Sequence, residues 1–136
     1  MAEKFISENR RYSVLAQRGH LLLHKGHFAD AKAKYLDAYD LEPDEATWLI
    51  FAASAAFHLG DIEGAEQLAR RATECSEGCI DEAWFNLGGY LLSQKRYEEA
   101  RDCYRRALAI DPDYEIAKKR LSDVDKILLQ PQSDSP

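Results

Sequence analysis

The 136-residue sequence has one methionine, three cysteines and four prolines, and no apolar run near the roughly 20 residues that a membrane-spanning helix requires. Its opening stretch, from Met1 to Ser7, has no apolar core of the kind a secretory signal needs. Membrane insertion is therefore not expected, and the expected compartment is the cytoplasm. Cys75, Cys79 and Cys103 are an odd set in a chain with 46% hydrophobic residues, which needs no disulfide framework to hold a core. Positive charge is also short: 18 Lys and Arg against 24 Asp and Glu leave a formal net charge of -6. A nucleic-acid partner is disfavoured, because binding one usually takes a basic face that displaces counterions. The length suits one domain.

Catalytic signatures are missing as well. The chain has no phosphate-cradling glycine loop, no nucleophile elbow and no Ser, His and Asp arrangement, so no residue is a candidate for catalysis and no cofactor is expected. The best case for a metal is His20 and His24, one turn apart on a helix face, with His58 as a more distant third. A stable site also needs further ligands and the groups that orient them, and no His-Glu-x-x-His or finger-type cysteine spacing provides these. Metal binding through His20 and His24 stands as a second alternative to the main reading. Cys75 and Cys79 are a lone Cys-x3-Cys, and Cys103, among Ala100, Tyr104 and Ala107, is expected to be a small buried residue.

What the sequence does have is internal repetition. Ala31, Tyr35, Ala38 and Pro43 recur as Ala65, Ala69, Ala72 and Glu77, and again as Ala100, Tyr104, Ala107 and Pro112, with spacings of mainly 34 and then 35 residues. At about 1.5 Å per residue, a unit of that length holds two helices of three to four turns, hence a helix hairpin. The hairpin turns fall in register at 24–27, 58–61 and 93–96, and Gly26 and Gly60 stand where two of the helices must stop. Pro43 with Asp44 and Pro112 with Asp111 mark the helix starts that follow.

Small residues let the two backbones of a hairpin approach: Gly19 and Gly88 on first helices, Ala31, Ala65 and Ala100 on second ones. Leu15, Leu22 and Leu23, like Leu87, Leu91 and Leu92, fill the space between them at helical spacing. After Tyr114, the pattern Ile116, Ala117, Leu121, Val124, Ile127 and Leu128 makes an amphipathic helix that closes the open end of the stack.

Trp84, Leu87, Gly88 and Leu91, then Ala100, Tyr104 and Pro112, resemble the tetratricopeptide signature W-x2-L-G-x2-Y, A-x3-F, P, with Leu91 and Tyr104 as substitutions in it. The first hairpin shares Gly19, Ala31, Tyr35 and Pro43. The second departs most, with Ala53 for the glycine, Ala69 for the aromatic and Glu77 for the proline. The resemblance, from about Tyr12 to Tyr114, implies an all-α, right-handed α-solenoid of three antiparallel helix hairpins with a closing helix. The expected divisions are a lead-in over 1–11, repeats over about 12–45, 46–79 and 81–114, a capping helix over 115–129 and a disordered polar tail over 130–136. An extra residue before Asp81 should lengthen the second inter-repeat turn and can tilt the third hairpin. The chain fits either a complete protein or a domain of a longer one.

In such a solenoid the first helix of each hairpin lines a concave groove, so the expected function is protein or peptide binding in an adaptor or scaffold role, without catalysis. By register the groove takes Gln17, His20 and His24 from the first hairpin, Ile50, Phe51 and Ser54 from the second, and Phe85, Asn86 and Gly89 from the third. Ser13, Phe57, Glu82 and Ser93 flank them. Phe51 and Phe85 are the expected anchors for apolar side chains, with Gln17, His20 and Asn86 holding peptide backbone. On this reading Phe51→Glu abolishes capture with little effect on melting, whereas Phe57 is open to two readings, a further groove anchor or packing between neighbouring hairpins. The charged second helices, with Glu66, Arg70, Glu99 and Arg106 among others, form a solvated convex face.

Within the family, co-chaperones of the cytosolic heat-shock proteins clamp a C-terminal carboxylate with Lys, Asn, Asn, Lys and Arg. The matching places here hold Ala16, His20, Phe51, Glu82 and Asn86, so that clamp is not expected. The three-repeat chaperones of bacterial secretion systems are similar in size, repeat number and acidic character. A chaperone holding an apolar substrate segment is accordingly the first alternative. Weak self-association through the groove is a further expectation.

Overall fold

The computed structural model describes residues 14–130, and these residues form seven helices. The first, α1, is helical over 14–24; α2 (Phe28–Leu41), α3 (Ala46–His58), α4 (Ile62–Thr73), α5 (Ile80–Ser93), α6 (Tyr97–Ile110) and α7 (Glu115–Leu129) follow. From α2 onward each helix packs on the next in sequence, and α3 also touches α5, so the first helices of consecutive hairpins meet along one face. The expected lead-in over 1–11, Ser13 and the tail beyond Gln130 lie outside the described residues.

All three hairpins turn the same way. The His27, Asp61 and Arg96 N–H groups donate to the carbonyls of Leu22, Ala56 and Leu91 at 2.8, 3.0 and 3.0 Å, closing a left-handed cap at each first-helix end. The residue in the left-handed conformation is Gly26 (φ 83°), Gly60 (φ 85°) and, in the third hairpin, Lys95 (φ 61°). A side chain there carries strain that glycine does not. Lys95→Gly is expected to stabilise the fold by about 0.5–1 kcal/mol, read as a higher urea midpoint at unchanged slope.

The inter-repeat turn at 74–79 is longer than those at 42–45 and 111–114, because α4 stops after 12 residues where α2 and α6 run for 14; the extra residue falls within α5, which has 14 residues against 13 in α3. Its added length is tied down, since the Glu77 N–H donates to the Asp44 carbonyl at 3.1 Å and the Ala46 N–H donates to the Glu77 carbonyl at 3.0 Å. Glu45 caps α3, its carboxylate accepting from the Thr47 hydroxyl at 2.7 Å. Pro43 and Pro112 lie inside the turns, and the helices they announce begin later, at Ala46 and Glu115.

Alanine lets the helices stack closely. Ala52, Ala53, Ala55 and Ala56 are fully buried, which suits α3, the helix with packed neighbours on most sides. In the outer hairpins the close approach is filled by a ring: a Cβ on Gly19 would sit 2.6 Å from Tyr35 Cε1, and one on Gly88 2.8 Å from Tyr104 Cε1. The middle hairpin makes a paired change at the same register, with Ala53 and Ala69 both buried. A methyl group where the glycine stood and a methyl group where the ring stood avoid that clash together, so both departures of the second repeat have one steric cause.

The closing helix α7 buries Ala117 and Val124, and Leu121 and Leu128 pack against the core between and beyond them. These four residues make one helical stripe. Ile116 and Ile127, expected on that stripe, lie off it and are 47% and 39% exposed.

On the opposite side the charges are not merely solvated. Glu66 of α4 receives hydrogen bonds from Arg70 at 2.9 Å, Gln94 at 3.0 Å and Arg96 at 2.7 Å, and Arg96 also donates to Glu99, linking the second hairpin to the third. Burial pushes the Glu66 carboxyl up, but the bonds from Gln94 and Arg70 and the Arg96 charge outweigh it and hold the pKa below the ordinary carboxylate range. A carboxylate with a depressed folded-state pKa gives its full stability above its unfolded-state value and loses it as pH falls through the folded value. The stability of the wild type should therefore fall below about pH 4.5 more steeply than that of Glu66→Gln, a difference that thermal melts across pH 3–7 would read.

Candidate functional site

On the concave side, α5 presents Phe85, Asn86, Gly89 and Ser93 along one face, since residues three, four and seven to eight apart share a side of a helix. These residues line a cavity of about 360 Å³. Phe57 enters from α3, Tyr104 from α6 and Arg120 from α7, while Tyr90 and Leu92 complete the α5 wall.

Its aromatic residues are held in place by one another. Phe85 stacks on Tyr114 with ring centroids 5.2 Å apart and meets Tyr104 at 5.6 Å; Phe57 meets Tyr90 at 5.3 Å. Burial pushes the phenols of Tyr90 and Tyr104 up to about 12, with the Arg120 charge pulling Tyr104 the other way. Both phenols are neutral at physiological pH. The Ser93 hydroxyl donates to the Tyr90 carbonyl at 2.7 Å, which leaves its oxygen able to accept. The feature that opens the space is Gly89: a Cβ built there would meet nothing within 4 Å, unlike that of its neighbour Gly88.

Of the residues nominated by register, most fall into two groups. Phe85, Asn86 and Gly89 come together at the cavity, with Ser93 and Phe57 beside them. Gln17, His20 and Phe51 lie on the first two hairpins. The His20 ring meets Phe51 at 4.9 Å, and His20 Nδ1 shares a 2.7 Å hydrogen bond with the Tyr35 hydroxyl. Ile50 belongs to neither group: at 4% exposure it is core, because its turn of α3 faces the packed helices and not the groove. Ser54 accepts at its backbone carbonyl from His58 Nδ1 at 2.7 Å, and His24 is exposed at the end of α1.

One further expectation changes, and for Phe57 both readings apply. Phe51 is half-buried among His20, Tyr35 and Trp48, so Phe51→Glu would disturb packing as well as any ligand. Phe57 does pack on Tyr90 across hairpins, yet it remains 41% exposed and also lines the cavity. Sequence reasoning missed Tyr90, Leu92 and Tyr104, which lie at the buried edge of the nominated face, and it missed Arg120. Helical spacing from Phe85 reaches Leu92, whereas nothing short of the path of α7 places Arg120 there.

Among the described residues no group of three His, Cys, Asp or Glu side chains is placed to hold a metal ion. Cys103 is buried, which pushes its thiol up to about 11, and burial raises Cys75 and Cys79 as well. All three are thiols at neutral pH. No helix among the described residues is long and apolar enough to cross a membrane.

Three hairpins closed by a seventh helix, with an open cavity on the side of the first helices, define an α-solenoid of the kind built for holding other chains. Residues 17–78 and 81–114 match the tetratricopeptide repeat, and the chain belongs to that family. It is 34% identical over 100 residues to human tetratricopeptide repeat protein 7A, covering 74% of this chain and 12% of that one. The chain thus spans about an eighth of that relative's length. Among solved structures, the first TPR of Spaghetti (RPAP3) bound to HSP90 peptide SRMEEVD superposes with a TM-score of 0.78 at 23% identity, covering 89% of this chain and 95% of that one. The Sgt2 TPR domain from Aspergillus fumigatus gives a TM-score of 0.78 at 20% identity, covering 92% and 87%. Tetratricopeptide domains are protein-interaction modules, typically without enzymatic activity, and their partners are proteins or peptides.

Proposed function

We propose that the chain binds a polypeptide segment on its concave face, seating an apolar side chain of that segment in the cavity beside Gly89. The observation that carries this reading is the void over Gly89 itself. A glycine in the middle of α5 costs about 1 kcal/mol relative to alanine, and no neighbour requires it there. Its lack of a side chain keeps open an aromatic-walled recess of about 360 Å³, at the small end of ligand sites. Asn86 beside it offers both a donor and an acceptor to peptide backbone. The role is that of an adaptor or scaffold in the cytoplasm.

Support also comes from the structural neighbour that is bound to an HSP90 peptide, although the chemistry proposed here differs. At the five clamp positions this chain has Ala16, His20, Phe51, Glu82 and Asn86, and the Glu82 carboxylate would repel a terminal carboxylate. Recognition rests instead on the apolar recess in the third hairpin. The test is mass spectrometry of what co-purifies from native extract with the wild type and with Gly89→Leu. A polypeptide retained by the wild type and lost from Gly89→Leu is the expected result; identical retention by both would place binding elsewhere on the molecule.

A further inference from the structure

Arg120 is an exposed residue of α7 that reaches the wall of the cavity on the third hairpin. Most arginines of the described residues lack an ion pair, but Arg120 is the one charged residue on the wall of this cavity. The arginines of the opposite face that flank Glu66, Arg70 and Arg96, are paired with Glu66 and Glu99, whereas Arg120 takes part in no ion pair or hydrogen bond among the described residues. The other residues that line the cavity cannot neutralise it. Tyr104 and Tyr90 are neutral phenols, Phe57 and Phe85 are apolar, and Asn86 and Ser93 are uncharged. A guanidinium has five donors and no acceptor, so what it lacks here is an anion, and a planar carboxylate matches it in two parallel bonds. The recess beside it takes an apolar side chain and not a second charge.

We infer that the occupant of this cavity is a peptide segment in which an apolar anchor stands next to an Asp or Glu, the anchor entering the recess beside Gly89 and the carboxylate pairing with Arg120. This inference rests on the binding reading above and adds its charge chemistry. It runs against the net charge of the chain, which is -6 and repels acidic segments at long range. The attraction is local, because beyond about 8–10 Å physiological salt screens the rest of the surface. Arg120 therefore selects where the global field does not.

The test is selection of a random dodecapeptide display library on the purified chain, followed by synthesis of the enriched peptides. Expected are peptides with Asp or Glu within about two residues of an aromatic or aliphatic anchor. They should bind Arg120→Gln about tenfold more weakly, the range of a charge-assisted hydrogen bond. Arg120→Lys should restore part of the loss, and selection on Arg120→Glu should enrich Lys or Arg in place of the acids. Peptides that lose binding to Gly89→Leu but are indifferent to charge at position 120 would overturn the inference and leave the groove reading standing. Peptides that bind Gly89→Leu as well as the wild type, or no enrichment at all, would overturn both. Circular dichroism of each variant keeps folding separate from binding, and exposed Arg120 substitutions should leave the spectrum unchanged.

Discussion

Gly88→Ala is expected to cost about 1–3 kcal/mol of stability, and Gly88→Leu to prevent a stable third hairpin. The cause is not helix propensity, since alanine is the better helix former by about 1 kcal/mol and would by itself raise stability. It is the ring of Tyr104, whose Cε1 and Cζ would stand 2.8 and 2.9 Å from the new Cβ. Tyr104 is 1% exposed and packs on Phe85, so the ring yields only by displacing that packing toward the cavity or by moving α6 from α5. The same clash awaits Gly19→Ala against Tyr35. A double variant, Gly88→Ala with Tyr104→Leu, should recover part of the loss in chemical denaturation, because it replaces the ring with a smaller group as the methyl appears. Equal losses for the single and double variants would mean that Gly88 serves something other than room for the ring.

One residue further along α5, the outcome should reverse. Gly89→Ala is expected to raise stability by about 0.5–1 kcal/mol, because a Cβ there enters open space and the helix loses a flexible residue. Gly89→Leu should match or exceed that gain, its side chain gaining contacts on the cavity wall that includes Phe85 and Tyr90, and it should also abolish binding of a segment seated there. Stability and function then move in opposite directions, as expected where a site keeps a locally unfavourable residue for its ligand. A Gly89→Leu protein that melts higher and still binds with wild-type affinity would remove the cavity from the binding surface.

The architecture was legible because it is written in spacing. The recurrence of Ala31, Ala65 and Ala100, with Gly26 and Gly60 in the turns, repeats a steric requirement that any three stacked hairpins must meet, and the helices fall where those residues put them. The site was legible by halves. Phe85, Asn86 and Gly89 lie on one stripe of one helix, which periodicity alone can find. Ile50 shows the limit, since it shares a face with Phe51 on paper but turns into the core between hairpins. Whether a half-apolar helix face is groove or core depends on how far the next hairpin rotates over it, and that is set by packing of the whole stack. Arg120 lay beyond reach for the same reason: the pattern of Ala117, Leu121 and Val124 shows which side of α7 is buried but not which end of the groove its flank overlooks.

The measurement that bears most directly on the central claim is amide chemical-shift mapping of the isotope-labelled chain during titration with a peptide enriched on it. Shifts concentrated along 85–93 of α5 and around Arg120 on α7 are the predicted result. Shifts confined to the opposite face, around Glu66, Arg70 and Arg106, with α5 unmoved, would contradict it.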